Sequence, residues 1–391
     1  MAGTSVDSRR SRRGRASAHE GEVCSLSILK LAVIPGDGVG KEVIPEGLRV
    51  LRRAGEVTGR FSIEAQEFTW SCEYYTQTGR MMPEDALDRL SDSDAVYLGA
   101  VGYPGVPDHV SLWGLLLPIR QGFDQYVNLR PCQVLDGIPS PLRDKGPREI
   151  DILCIRENTE GEYAGLGGRF HIGRPEESAV QTSMFTRRGV DRIVRYAFDR
   201  ARERRRILAS ATKSNALQYT AVMWDEIVAE VAIDYPDITW TSYHADALAA
   251  RMVTAPETLD VIVGSNLFGD ILTDLGGALQ GSLGLPASAN LNPERLHPSM
   301  FEPVHGSAPG RAGQGTANPM AAVWAGALLL DHLGEKEAST LVMDALREVA
   351  KRGPRTRDLG GAATTVEVGE AIAEALAGSA GSPATGRRGG P

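Results

Sequence analysis

An α/β fold with a largely parallel sheet, organised in two or more domains, is the architecture this sequence predicts. Short apolar runs, too short for helices, alternate with segments that are apolar at helical spacing. Glycine-rich turns follow several of those runs, and ligands of such folds bind outside the carboxyl ends of the strands, where the turns lie. The length of 391 residues is enough for a large core and exceeds the usual size of one domain.

Hydrophobic residues make up 42% of the chain and charged residues 24%, an ordinary balance for a soluble globular protein. The formal net charge of −8 gives no case for a nucleic-acid partner. No apolar run approaches a membrane span. Cys24, Cys72, Cys132 and Cys154 form no CxxC pair, which fits a reduced cytoplasmic protein and argues against a thiolate metal site. Five arginines lie between Arg9 and Arg15 with no apolar segment after them, so residues 1–27 read as a disordered basic tail rather than an export signal. Residues 377–391, rich in Gly, Ser, Pro and Ala, read as a second disordered tail.

The first unit is a strand over Ser27–Ile34, a turn Pro35-Gly36-Asp37-Gly38-Val39-Gly40, and a helix from Lys41 to Ala54. The turn is neither a GxGxxG fingerprint, since its third glycine falls one position early, nor a Walker A loop, since Glu42 follows Lys41. Phe61–Phe68 alternates like a strand, Met82–Leu90 has helical spacing, and Ala95–Val101 reads as a buried strand. Leu112, Leu115, Leu116 and Ile119 share a helix face that ends in Arg120, with Pro118 predicted to kink or shorten the helix. Arg130 precedes Pro131 and is therefore expected in extended backbone. Arg156 follows the apolar run Ile150–Ile155 at a strand end. Each arginine alone reads as a surface residue; converging, they would clamp a dicarboxylate, because guanidinium binds carboxylate bidentately.

Glu157–Gly168, which carries Tyr163, reads as a polar glycine-rich loop, and Phe170–Phe185 as a protruding hairpin. A basic amphipathic helix spans Arg187–Arg206, and a strand at Ile207–Ala211 delivers Lys213, either a proton-transfer lysine or a surface one. A strand at Ile238–Tyr243 leads to Asp246 at a helix start. The run Val261–Val263 leads through Gly264-Ser265-Asn266 into a helix on which Asp270 and Asp274 share a face. Two carboxylates one turn apart repel unless solvent or a cation separates them. They are either a hard-cation pair, suited to Mg²⁺ or Mn²⁺, or two acids favoured by the helix dipole. After Gly277 the chain reads as loop, and then the small residues of Phe301–Pro309 would let backbone approach a flat nucleotide. Helices over Met320–Leu333, Glu335–Lys351 and Thr365–Leu376 close the chain.

Taken together, over about residues 28–376, these segments resemble the β-decarboxylating dehydrogenases: isopropylmalate, isocitrate, and tartrate or D-malate dehydrogenases. IPGDGVG matches the family's opening turn, Arg120 and Arg130 its first two substrate arginines, and RENTEGEY its third arginine, Arg156, with its catalytic tyrosine, Tyr163. Lys213 in TKSN matches the catalytic lysine, and Asp246, Asp270 and Asp274 match the metal aspartates. EPVHGSAP, with Glu302, His305, Gly306, Ser307 and Ala308, matches the cofactor loop, and Asn318 the adenine contact. FDQYVNLRP, FTRRGVDRIVRYAF and SANLNPER look most like the tartrate/D-malate subgroup. Trp113 stands where the isopropylmalate enzymes carry an acid that faces the substrate, while Leu116 matches both subgroups.

The resemblance implies an isopropylmalate-dehydrogenase-like fold. It has two interleaved α/β domains around a largely parallel sheet, and a hairpin that clasps a homodimer. Residues 28–125 and 282–376 would bind the cofactor, and residues 126–281 would bind substrate and metal and dimerise. It also implies a site shared between subunits and oxidative decarboxylation of D-malate or tartrate, with 3-isopropylmalate or another 3-substituted malate as the alternative. NAD is expected from the subgroup. However, Gly310 stands where NAD-dependent relatives have an Asp that holds the ribose hydroxyls, and Arg311 beside it could meet the 2′-phosphate of NADP. A non-catalytic relative of the same fold would have lost catalytic residues, and none of those named is missing.

Overall fold

The computed structural model describes residues 26–379, so the arginine-rich stretch, Cys24 and residues 380–391 lie outside the described residues. The chain opens with β1 (Ser27–Gly36), α1 (Gly40–Thr58), β2 (Phe61–Glu67), α2 (Cys72–Thr78), α3 (Ala86–Ser91) and β3 (Ala95–Ala100). It continues with α4 (Asp108–Ser111), α5 (Leu117–Gly122), β4 (Val127–Gln133), β5 (Asp151–Glu157), β6 (Gly161–Phe170), β7 (Ser178–Met184) and α6 (Arg187–Arg202). Next come β8 (Ile207–Thr212), α7 (Thr220–Ala232), β9 (Thr239–His244), α8 (Ala245–Thr254), β10 (Val261–Gly264) and α9 (Asn266–Leu279). The last elements are β11 (Ala287–Leu291), β12 (Ser299–Pro303), α10 (Met320–Leu333), α11 (Lys336–Arg352) and α12 (Thr365–Ser379).

Ten strands form one sheet in the order β2-β1-β3-β12-β11-β4-β5-β10-β8-β9, and β6 and β7 form a separate antiparallel hairpin. Pairing is parallel except around β11 and β4, which run antiparallel to their neighbours. The expected α/β architecture with a largely parallel sheet is therefore present. The strands from residues 27–100 and 287–303 are contiguous in the sheet, as are those from 127–264, and the two groups meet at the β11–β4 pairing. β3 is buried at every position, as a strand covered on both faces must be. α10 is apolar nearly all round and buried, whereas α6 buries one face, including Val190, Ile193, Val194 and Ala197, and turns its arginines outward.

Several elements differ from the sequence expectation. α2 was not expected; Ser71 caps it by accepting from the Tyr74 N–H, and the buried Asp37 carboxylate accepts from the Cys72 and Glu73 N–H groups at 2.9 and 3.2 Å. α3 starts at Ala86, not Met82. The helix expected around Leu112 is divided by a π-helical turn at Leu112–Leu116, which places Pro118 at the start of α5, where a missing N–H costs least. Most of the expected loop Glu157–Gly168 is β6; its glycines carry a bulged strand, with positive φ at Gly161, Gly165 and Gly167. α7 was not expected, and the region expected as loop after Gly277 contains β11 and β12. β11, Ala287-Ser288-Ala289-Asn290-Leu291, is buried at every position yet small and polar, so it gives no apolar signal. α12 runs on to Ser379, through the start of the expected C-terminal tail, and Ser27 opens β1.

Candidate active site

A cleft of about 240 Å³ opens at the carboxyl ends of β3 and β5, lined in part by Arg120, Arg130, Arg156, Tyr163, Asp270 and Glu302. Arg156, near the end of β5, is fully buried. Its Nε and Nη2 donate to the Asn266 Oδ1 at 3.0 and 2.7 Å, and its Nη1 donates to the Asp270 carboxylate. α9 can lie this close because residue 269 is glycine: a Cβ there would stand 2.6 Å from the Arg156 Cβ. Arg130, in β4, donates to the Thr273 hydroxyl at 2.7 Å and lies 3.4 Å from Asp270 and 3.6 Å from Asp274. Arg120, at the end of α5, pairs with Glu302 at 2.8 Å, and both are buried. The Tyr163 hydroxyl donates to Asp270 Oδ2 at 3.3 Å, and the Arg156 guanidinium sits 5.5 Å from the tyrosine ring centre.

The electrostatics follow from this crowding. Burial and the neighbouring Arg130 pull the Arg156 pKa down, and Asp270 pushes it back up. The Tyr163 phenol is pushed above its ordinary value, first by burial and then by the Asp270 charge. Asp274 is raised by desolvation and then by Asp270. The cleft crowds three guanidiniums and the carboxylates that pair with them into a poorly solvated place.

A second cleft, of about 890 Å³, adjoins the first and shares Val304, His305 and Gly306 with it. Ala308, Arg311, Asn318 and Asp358 also line it. The two glycine-rich motifs of the sequence meet here. Val39 N–H donates to the Ser307 carbonyl at 2.9 Å, and a Cβ at Gly38, whose φ is +55°, would lie 2.0 Å from that oxygen. The Asp37 carboxylate also accepts from the Gly102 N–H at 3.0 Å, which holds the turn against the next one. Ser307 is buried, and the His305 Nε2 is buried without a partner. The His305 pKa is lowered by desolvation, so the ring is neutral near pH 7. Asn318 donates to Asp358 at 3.0 Å and accepts from the Met320 N–H at 3.0 Å. Asp358, which sequence reasoning did not single out, also accepts from Ser282 and Thr356. No ion pair to Arg311 forms among the described residues.

The profile of the isocitrate/isopropylmalate dehydrogenase family matches residues 30–372. The chain belongs to that family. A probable tartrate dehydrogenase/decarboxylase from Agrobacterium vitis is 53% identical over 351 residues, covering 90% of this chain and 98% of that protein. The D-malate dehydrogenase [decarboxylating] of Escherichia coli K12 is 53% identical over 359 residues, covering 90% and 99%. Among solved structures, isocitrate dehydrogenase from Methylococcus capsulatus superposes with a TM-score of 0.79 at 34% identity, covering 89% of this chain and 99% of that one. The architecture is thus the isopropylmalate-dehydrogenase-like fold.

Of the site residues that the resemblance implies, the chain brings together Arg120, Arg130, Arg156, Tyr163, Asp270 and Asp274, with Leu116 on the cleft wall. It does not bring Lys213 and Asp246 to them. These two stand just beyond the ends of neighbouring β8 and β9, line neither cleft, and pair with each other at 2.5 Å. The Lys213 ammonium holds Asp246 below the usual carboxylate range. Among the described residues no cluster of three or more His, Cys, Asp or Glu could hold a metal. Trp113 does not line the cleft; its indole lies over Gly165 of β6, where a Cβ would come within 2.9 Å of the ring. Leu112, expected on the helix face that leads to Arg120, lines the cleft, as does Ser111, which carried no sequence signal. Glu302, expected on the cofactor side, faces the arginine cleft as the partner of Arg120.

Proposed function

We propose that this chain oxidatively decarboxylates a (2R)-malate-type 2-hydroxy dicarboxylate, D-malate or a tartrate, with hydride transfer to NAD(P). The observation that carries the reading is the charge of the first cleft. Arg120, Arg130 and Arg156 are matched by Asp270 and Glu302 in the cleft and by Asp274, which stands beside Arg130 and lines the adjoining cleft. A divalent ion on the aspartates then leaves an excess that a dicarboxylate dianion neutralises. The names of the relatives, one acting on tartrate and one on D-malate, support the same substrates.

Asp270 and Asp274 fit a hard cation: both are oxygen donors on one face of α9, and the Asp274 pKa is raised in part by the charge of Asp270. They would hold Mg²⁺ or Mn²⁺ with Asp246 of the partner subunit. Such an ion supplies Lewis-acid polarisation of the hydroxyl and carboxylate oxygens. Arg120, Arg130 and Arg156 bind the carboxylates and orient the carbon that gives up hydride. Lys213 of the partner subunit takes the hydroxyl proton, and the keto acid so formed loses CO₂. Tyr163, kept protonated by its raised pKa, delivers a proton to the enol carbon.

The second cleft would take the cofactor, with His305, Gly306, Ser307, Ala308 and Asn318 around it. NAD is the expected cofactor, and Arg311, with no acid at Gly310, favours acceptance of NADP as well. The site needs a homodimer. The β6–β7 hairpin, with Leu166, Phe170 and Val180 exposed, would be the clasp. Residues 28–125 and 282–376 would then form the cofactor domain and 126–281 the substrate, metal and dimerisation domain, the division following the two strand groups of the sheet. A cytoplasmic location suits this chemistry, and among the described residues no helix is long and apolar enough to cross a membrane.

The test is formation of NADH and NADPH with Mn²⁺ across D-malate, the tartrates, 3-isopropylmalate and isocitrate. The expected result is preference for D-malate or a tartrate. Turnover of 3-isopropylmalate or isocitrate alone contradicts the substrate assignment, and absence of turnover with NADP⁺ at concentrations saturating for NAD⁺ contradicts the use of both cofactors.

A further inference from the structure

Four fully buried amides and a carboxylate occupy the middle of the sheet, where an aliphatic core would be expected. Asn128, Asn158, Asn290 and Gln125 have no exposed surface, and Glu302 is nearly as deep. Buried polar groups cost stability unless hydrogen-bonded, and well-packed apolar residues would serve stability at least as well. Gln125 donates to the Pro298 carbonyl, and the other three amides and the carboxylate share one centre. The Asn290 Nδ2 donates to Glu302 Oε1 at 2.8 Å, the same oxygen that receives the Arg120 Nη2 at 2.8 Å. The Asn290 Oδ1 accepts from the Asn128 Nδ2 at 2.8 Å and from the Asn158 Nδ2 at 3.0 Å.

Each spoke ends next to a cleft arginine. Asn128 is two residues before Arg130 on β4, Asn158 is two residues after Arg156, and Glu302 is the direct partner of Arg120. Asn290 lies on β11, which pairs with β12 on one side and β4 on the other, at the seam between the two strand groups. Arg120 has little else to hold it: its Nε is buried with no partner among the described residues.

We propose that Asn290 is a positioning residue for substrate binding: it fixes the Arg120–Glu302 pair relative to the strands that carry Arg130 and Arg156. It sets the spacing of the guanidiniums across the seam and so the fit to a four-carbon dianion. The inference rests on the reading of Arg120 as a substrate ligand. It acts on ground-state and transition-state binding alike, so its loss is read mainly in KM.

The experiment is a double-mutant cycle on the intact enzyme with D-malate. Asn290→Asp keeps an acceptor for Asn128 and Asn158 but sets a carboxylate against Glu302; Asn290→Ser is a second, uncharged variant should the first not fold. Both are expected to raise KM about tenfold or more with kcat changed less than about threefold, and this effect should largely vanish in an Arg120→Lys background. A wild-type KM in either folded variant overturns the inference, as does an equal KM rise with and without Arg120→Lys. Should Arg120→Lys alone leave KM unchanged, the reading of Arg120 fails and the inference with it, a result distinct from the other two.

Discussion

Two cation–carboxylate pairs of this molecule look alike on paper and differ in every physical respect. The Arg156 guanidinium is fully shielded, with its Nε and Nη2 on Asn266, and reaches an Asp270 carboxylate that is one-third exposed to the cleft. Lys213 and Asp246 meet at the surface, with side chains 31% and 71% exposed and, among the described residues, no other side-chain partner for the lysine ammonium. The first pair is fixed by the fold: three elements converge on it, and Gly269 exists to let α9 reach it. The second is held by little more than itself; exposed pairs add little to stability, so the lysine can exchange its partner readily. On the proposed reading, half of the site is preorganised in one chain and a second chain would supply the other half.

The comparison can be broken first at Arg156. Arg156→Gln removes a proposed substrate ligand and leaves Asp270 without its closest counterion. The expected loss in kcat/KM is about 10³-fold or more, accompanied by a thermal midpoint several degrees lower, since breaking a buried pair costs about 3–5 kcal/mol. Lys213→Met is expected to lower kcat by about 10²–10⁴-fold, the range for a lost proton-transfer group, with an almost unchanged thermal midpoint. If it destabilises the fold as much as Arg156→Gln does, the two pairs are not different in kind. Gly269→Ala drives a methyl into Arg156; a loss of about 1–3 kcal/mol in stability and a raised KM are expected from denaturant melts and steady-state kinetics. The smallest effect belongs to the cofactor cleft: Arg311→Ala should raise the KM for NADP⁺ about tenfold and leave that for NAD⁺ within about twofold.

The pH dependence of Tyr163 sharpens the picture. Burial and then Asp270 raise its pKa, so the neutral phenol persists above its ordinary titration at pH 10 and its contribution to stability is lost only as pH rises through the higher folded value.

Much of this was legible in the sequence, and the physical reason is specific. Arg156, Lys213, Asp246 and Asp270 each follow an apolar run, so period and punctuation alone placed them at strand ends or helix starts. The helix face shared by Asp270 and Asp274 was a matter of spacing. What stayed hidden was whatever lacks an apolar signal. β11 is buried but built from Ala, Ser and Asn, and its hydrogen-bonded centre, Asn290, is silent until β12 and β4 are seen on either side. The glycines of β6 read as loop because bulges need them. Asp358 is bound by residues 40 and 76 positions away, which no local pattern reveals. Trp113 was expected on the substrate, but the π-helical turn that accommodates Pro118 lays it over Gly165 instead.

The central claim, a site completed by a second chain, is tested most directly by mixing inactive subunits. Tyr163→Phe and Lys213→Met proteins are unfolded and refolded together, or co-expressed, and assayed with D-malate, NAD⁺ and Mn²⁺. In a shared-site dimer each mixed dimer holds one intact site, so activity should recover to about one quarter of wild type at equal mixing. Activity no higher than the mean of the two separate variants would mean that Tyr163 and Lys213 serve the same chain, and would contradict the account.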